Sequence, residues 1–340
     1  MDGRLESQEK IYTQINNLLK DLPKYVEDWY LMLRASNKTA ATCQTYIRTV
    51  RQFLLSIDEK CDVELSQITQ DVVMKYFISI QTKQTNDGRT IKTSDSYRCG
   101  VHSCLSSFFR FLFKSGSIPC NYMDMIDRPK NQDLERINEH RVLLTTEDFQ
   151  DIINTIKKGV PGQKYEGIRG MLRERDLSMM LLLMFTGIRR TALVNINLED
   201  INLITHTLSV VDKGAKRRVC ALSSEVVDTL NVWLQDREEI LNILGKTSDA
   251  LFINYEGNRL SSKSVAEMCH RYTKYALGES ISPHKLRAGF CSILYNETHD
   301  LEFVRRAVGH SDISTTQRYV VTDNQESLKA NMIMEGKLKV

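Results

Sequence analysis

"THTLSVVDKGAKRRVCAL", residues 205–222, breaks the pattern of the chain around it. Its two ends, "THTLSVV" (205–211) and "RRVCAL" (217–222), are short alternating or β-branched runs, and the turn-forming "DKGAK" joins them. That combination predicts an antiparallel hairpin with Lys213 near its tip. The segments on both sides repeat apolar residues at helical spacing, so the hairpin makes the second half of the chain α+β rather than purely helical.

Working outward, "ALFIN" (250–254) is expected as a further strand, and helical spacing returns from Ser261. Gly245 is placed to end the helix "VWLQDREEILNIL", and Gly187 the helix "RDLSMMLLLMFTG". "LLTTEDFQDII" opens this half, with Thr145 and Asp148 at capping-box spacing. Before it, residues 117–141 lose periodicity, are highly charged and hold two of the five prolines, which reads as a linker. The first half is helical. Tyr25, Trp29, Leu31 and Leu33 begin it, Tyr46, Val50, Phe53 and Leu54 share a face after a cap at Asn37 or Thr39, and helices are expected over 69–80 and over 94–116, the last ended by Gly116. Four helices with short loops make a small bundle. The expected organisation is a polar lead-in (1–23), a helical bundle (24–116), a linker (117–143), a mainly α domain with a small antiparallel sheet (144–322) and a tail (323–340).

Composition bounds the function. The 340 residues are 41% hydrophobic and 26% charged, a globular mixture long enough for two cores, and the net charge of +3 requires any nucleic-acid face to be a local patch. The longest apolar run, "MMLLLMF" at 179–185, is far short of the ~18 residues of a membrane span. The polar start "MDGRLESQEKIYTQ" has no signal-peptide character, and the eight cysteines are scattered without a CxxC, so free thiols in a reducing cytoplasm are expected. Cys99 and His102 in "CGVHSC" share a helix face, but Cys104 points elsewhere and no fourth ligand is near, so buried thiols are preferred to a metal site. "GKT" at 245–247 is no phosphate loop, because Ile240 stands where a glycine is required. Neither cofactor nor metal is expected.

The chemistry lies in the cations and one tyrosine of the second domain. Arg189 follows the helix-ending "TG"; Lys213 sits on the hairpin tip; His284 and Arg287 lie three apart, on one face of a helix that can begin after Pro283. His310 follows Gly309 at an expected helix C-terminus, and Tyr319 is expected on a short helix that Ser311 or Asp312 can cap; that helix falls on residues 310–340. Singly, each suits an ordinary surface role. Together they suit nucleophilic displacement at a phosphodiester. Two arginine forks offset charge on phosphorus, histidines hold oxygens or move protons, and a lysine protonates the leaving oxygen. A tyrosine hydroxyl, with an ordinary pKa near ~10, becomes a nucleophile in such a cationic pocket.

These motifs resemble those of the tyrosine recombinase (phage integrase) family. "TGIRRTALVNINLEDI" is similar to its first arginine box, "VDKGAKRRVCAL" to its hairpin, "ISPHKLRAGF" to its His-x-x-Arg box and "VGHSDISTTQRYV" to its last box, in the same order. "NKTAATCQTYIRTVRQFL" and "LSSFFRFLFKSG" resemble its core-binding bundle. The sequence departs at Ala192, where the family often has an acidic residue, at Ala288 and Gly289, where a His-Thr pair is common, and at Tyr122, where a linker proline is frequent.

The resemblance implies the tyrosine recombinase fold, with residues 24–116 as core-binding domain and 144–322 as catalytic domain. It implies catalysis by Arg189, Lys213, His284, Arg287, His310 and Tyr319 through a 3′-phosphotyrosyl intermediate, without ATP or metal. Expected partners are double-stranded DNA at specific inverted-repeat core sites and a homotetramer on DNA, closed by cyclic exchange of the C-terminal tail, with room for an accessory DNA-bending protein. The lead-in, read as too short for a separate arm-binding domain, favours a simple integrase, transposon recombinase or Xer-type enzyme. DNA contacts are expected from Thr39, Thr42, Arg48, Arg51, Lys92, Tyr97, Arg98, Lys216, Arg217, Arg218, Lys263 and Arg271. The alternatives are a sequence-specific DNA-binding protein that has lost catalysis and a type IB topoisomerase-like enzyme.

Overall fold

The computed structural model describes residues 3–85, 87–130, 144–160, 167–211 and 217–309, which form two compact units divided between Arg141 and Val142. The described part is mainly helical, with small antiparallel sheets.

The first unit consists of α1 (Gly3–Leu19), α2 (Lys24–Ala35), α3 (Ala40–Leu55), α4 (Gln70–Ser79) and α5 (Asp95–Lys114), with a two-stranded hairpin, β1 (Thr82–Gln84) and β2 (Thr90–Lys92), before α5. Hydroxyl caps start three of these helices. Thr39, Thr69 and Ser94 accept from the backbone N–H groups of Thr42, Val72 and Tyr97, each cap stabilising by about 1 kcal/mol. The core is aromatic: Trp29 stacks on Tyr46 and meets the edge of Phe108 with centroids 5.1 Å apart, and Phe53 meets Phe109 edge-on. Leu31, expected at the start of this core, is 56% exposed, because it lies ~200° around the helix from Trp29 whereas Leu33 lies on Trp29's face. The lead-in stretch folds as α1 and buries Ile15 in the same core. Ile118, Tyr122 and Met123, from the segment read as linker, are buried there too. Cys99 and Cys104 donate to Pro129 O and Tyr46 O, and His102 Nε2 lies 2.9 Å from Ile126 O, so these three side chains are engaged with main chain.

The second unit is built around α7 (Ile168–Thr186), which follows α6 (Thr146–Lys158). Leu177 and Met179–Met184 are buried on every side of α7, the mark of a helix enclosed by others. The neighbours are α6, α9 (Ser224–Leu244) and α11 (Pro283–Thr298). Between α7 and α9 come the short α8 (Arg190–Val194) and a sheet ordered β3 (Ile201–Asn202), β4 (Thr207–Val211) and β5 (Arg217–Ala221), all antiparallel. Leu208 and Val210 on β4 and Cys220 on β5 face the core. The hairpin is as expected on both strands; its tip, 212–216, lies outside the described residues. Thr145 and Asp148 form the expected capping box.

"ALFIN" is not a strand. Leu251 N–H donates to Ile196 O while Leu260 N–H donates to Phe252 O, so the run divides its hydrogen bonds between two neighbours and leaves only isolated bridges. Trp233 Nε1 donates to Leu251 O and Arg237 Nε to Ala250 O, which fastens the run to α9. Two further helices, α10 (Ser262–Leu277) and α12 (Leu301–Val308), belong to the described part of the unit. A buried carboxylate ties α10 to α7: Asp176, 2% exposed, accepts from Arg175, Arg271 and Tyr272.

Candidate active site

Two helix ends and one helix start converge on the candidate site. α7 stops at Gly187, whose φ of +56° is left-handed, a conformation that costs an L-residue about 1–2 kcal/mol. A Cβ there would stand 2.6 Å from Phe290 Cδ1, so the glycine is also required by close packing. Two residues on, Arg189 has extended backbone as the N-cap of α8 and is half-buried. α11 begins with Ser282 accepting from Lys285 N–H and Pro283 at its first turn, which orients His284 and Arg287 along one side of the helix. α12 packs on α11 through Val304, Val308 and Cys291, and ends at the left-handed Gly309.

Arg287 is the centre of this arrangement. It is 1% exposed, donates from Nη1 to Gly187 O at the end of α7, and from Nη2 to Val308 O at the end of α12, 2.8 Å away. Unpaired carbonyls and the negative end of the macrodipole favour a cation at both helix ends. His284, on the same helix, is exposed at the residue level yet partly desolvated. That desolvation, and then the charges of Arg287 and Arg189, hold its imidazole below the ordinary histidine value. Burial pushes the neighbouring Cys291 thiol up to about 11, while the same two arginines pull against the rise. The fields of Arg189 and Arg287 thus overlap at His284 and Cys291. Three of the six expected catalytic residues are brought together. Lys213, His310 and Tyr319 lie outside the described residues.

Such a cluster can bind and neutralise an anionic phosphorus centre, with a largely neutral imidazole beside it. A sequence model of the Phage integrase family matches residues 143–326, which contain the whole cluster. The chain belongs to the phage integrase family. Among its relatives, the tyrosine recombinase XerC of Myxococcus xanthus is 24% identical over 90% of this chain and 93% of its own length. XerC of Psychromonas ingrahamii is 35% identical over 46% of this chain, which spans about half (51%) of that relative. The solved XerH site-specific recombinase bound to palindromic difH substrate shares the fold with a TM-score of 0.68, at 20% identity over 96% of this chain and 89% of that one.

Within this integrase family member the departures have local reasons. Ala192 is buried on α8, and Ala288 packs against the cluster of Cys291, Val304 and Val308. A Cβ at Gly289 would lie 2.9 Å from Leu144 Cβ, so α11 approaches the start of α6 too closely for a larger residue.

The expected DNA contacts divide by environment. Arg48, Lys92, Tyr97, Arg217 and Lys263 are exposed, although Lys263 pairs with Glu267 at 3.5 Å. Thr39 caps α3 and shares a hydroxyl–hydroxyl bond with Thr42, and Arg51 is half-buried. Arg98 pairs with Asp95, Arg271 with Asp176 and Arg218 with Ala307 O, so each already serves the fold. Lys216 lies outside the described residues. Reading the sequence missed Ser282, Gly187 O and Val308 O as parts of the site. The Ser-Pro pair was a visible capping signal; the carbonyls carry none.

Proposed function

We propose that this integrase family member is a site-specific DNA recombinase that cuts and rejoins duplex DNA through a 3′-phosphotyrosyl intermediate. The observation that carries the reading is the overlap of Arg189 and Arg287 at His284, on elements that the matching family model spans. Tyr319 attacks the scissile phosphorus. The phenolic O–P bond forms as the phenol proton passes to a neutral imidazole of the cluster, the P–O5′ bond breaks, and the 5′-oxygen leaves protonated by Lys213. Arg189 and Arg287, with His284 and His310, offset the charge that builds on the non-bridging oxygens. A second strand's 5′-hydroxyl reverses the step. Bond energy stays in the phosphotyrosine, so no nucleotide is consumed.

The bundle of residues 24–116 is the core-binding domain and 144–322 the catalytic domain. Apolar Leu328, Met332 and Ile333 recur at helical spacing in the tail, which supports docking on a neighbouring protomer in a tetramer closed around DNA. The substrate is an inverted-repeat core site. The workplace is the compartment of that DNA, the cytoplasm; among the described residues no helix is long and apolar enough to cross a membrane.

The test is covalent trapping. The protein and its Tyr319→Phe variant are incubated with nicked duplexes from the DNA flanking the chain's own gene, then separated under denaturing conditions. A shifted band that disappears in Tyr319→Phe is expected. Tight, selective binding without a band points instead to a DNA-binding protein without catalysis, and relaxation of supercoils without a paired site to a topoisomerase.

A further inference from the structure

At the end of α12, two consecutive carbonyls are each taken by an arginine from a different element. Arg218, on β5, donates from Nη1 to Ala307 O at 2.6 Å, and Arg287, on α11, donates to Val308 O at 2.8 Å. The second amino group of Arg287 is fastened to Gly187 O. A guanidinium is rigid and planar, so two anchored amino groups fix the plane in which its other N–H groups point. One of these anchors is only as fixed as the end of α12. That helix has eight residues and stops at a left-handed glycine, so its last turn is held by its cap, by the packing of Val304 and Val308, and by such side-chain anchors. Ala307 O and Val308 N belong to one peptide unit, which cannot twist internally. Pinning Ala307 O therefore restrains Val308, and through Val308 O the fork of Arg287.

We propose that Arg218 is a positioning residue: by pinning the last turn of α12 it holds Arg287 in the plane from which the guanidinium meets the scissile phosphate. The inference rests on the role of Arg287 in the recombinase reading. It moves Arg218 from the set of DNA contacts to the support of the catalytic cluster.

Two readouts test it on Arg218→Ala and Arg218→Lys, with thermal unfolding of each variant as the control for folding. The first follows the imidazole titration of His284 by NMR, which needs no DNA, because the charge of Arg287 bears on that ring. The second compares covalent capture of the nicked flanking duplex carrying either a normal phosphodiester or a methylphosphonate at the cut position. The methylphosphonate is uncharged, so its displacement makes little demand on an arginine fork. In Arg218→Ala the His284 titration moves upward, toward the ordinary value. Capture on the phosphodiester falls by about a hundredfold, the scale of a small misplacement of a catalytic group, while capture on the methylphosphonate falls far less. Arg218→Lys keeps a donor and recovers most of the loss.

Unchanged titration and capture in Arg218→Ala overturn the proposal. So does an equal loss on both substrates with His284 unmoved, which shows support of the fold alone. If the wild-type chain captures no duplex while Arg218→Ala still moves His284, the link between the two arginines stands and the recombinase reading falls.

Discussion

Replacing Gly187 by alanine strikes the site through its scaffold. The left-handed φ of +56° costs an L-residue about 1–2 kcal/mol. The new methyl group would lie 2.6 Å from Phe290 Cδ1 and 3.2 Å from Val308 Cγ1, and overpacking of a filled interior costs about 1–3 kcal/mol. The sum, about 2–5 kcal/mol, is a large share of the 5–15 kcal/mol typical of a domain. For a unit of this size it corresponds to a fall in melting temperature of about 4–20 °C. Gly245→Ala supplies the control, because Gly245 is also left-handed, with φ +60°, but has open space around it. It therefore carries only the conformational cost of about 1–2 kcal/mol. Urea unfolding of both variants measures the difference. Gly187→Ala should be the more destabilised by at least about 1 kcal/mol, and should capture DNA poorly even when folded, since Gly187 O anchors Arg287. Equal destabilisation of the two variants would refute the argument from close packing.

Other perturbations have equally definite outcomes. Asp176→Ala leaves Arg175, 9% exposed, without its carboxylate; unfolding by denaturant should show a loss of about 3–5 kcal/mol. Ser282→Ala removes the hydroxyl cap of α11, with an expected cost of about 1 kcal/mol by thermal denaturation. His284 titrates below its ordinary value of 6.5 in the folded chain, so the unfolded chain binds more protons as the pH falls below that value. Its contribution to stability is whole above pH 6.5, shrinks on acidification, and is fully lost once the pH passes the folded-state pKa. Stability curves of wild type and His284→Gln should therefore diverge below neutrality, the wild type losing more, and parallel curves would contradict the shift.

Local chemistry was legible in the sequence, and distant pairing was not. The capping box of Thr145 and Asp148, the helix-ending Gly187 and Gly245, and both long strands of the β4–β5 hairpin follow from residues that are neighbours in the chain. "ALFIN" misled because its apolar run reads as a strand, while what denies it a ladder is the division of its hydrogen bonds between Ile196 and Leu260. The β1–β2 hairpin gave no alternation to read, since all its strand residues are exposed, although Gly88 with φ +79° marks its turn. At the site, residue type, spacing and the family motifs together brought Arg189, His284 and Arg287 forward, and a phosphorus centre needs that chemistry. Their restraint was hidden. Arg218 reaches Ala307, 89 positions away, and Arg271 reaches Asp176 across 95, and no pattern in the chain announces either. The charged pair Arg175–Asp176, just before the apolar run Met179–Phe185 of α7, was a visible sign of a buried network.

The central claim is a covalent bond between Tyr319 and DNA. The most direct measurement is to trap the complex on a nicked duplex, digest it, and locate the attached nucleotide by mass spectrometry while testing the released strand for a free 5′-hydroxyl by enzymatic phosphorylation. A nucleotide carried on Tyr319 through its 3′-phosphate, with a 5′-hydroxyl on the partner strand, is the predicted result. An adduct on another residue, or a 5′-linked nucleotide, would contradict the account.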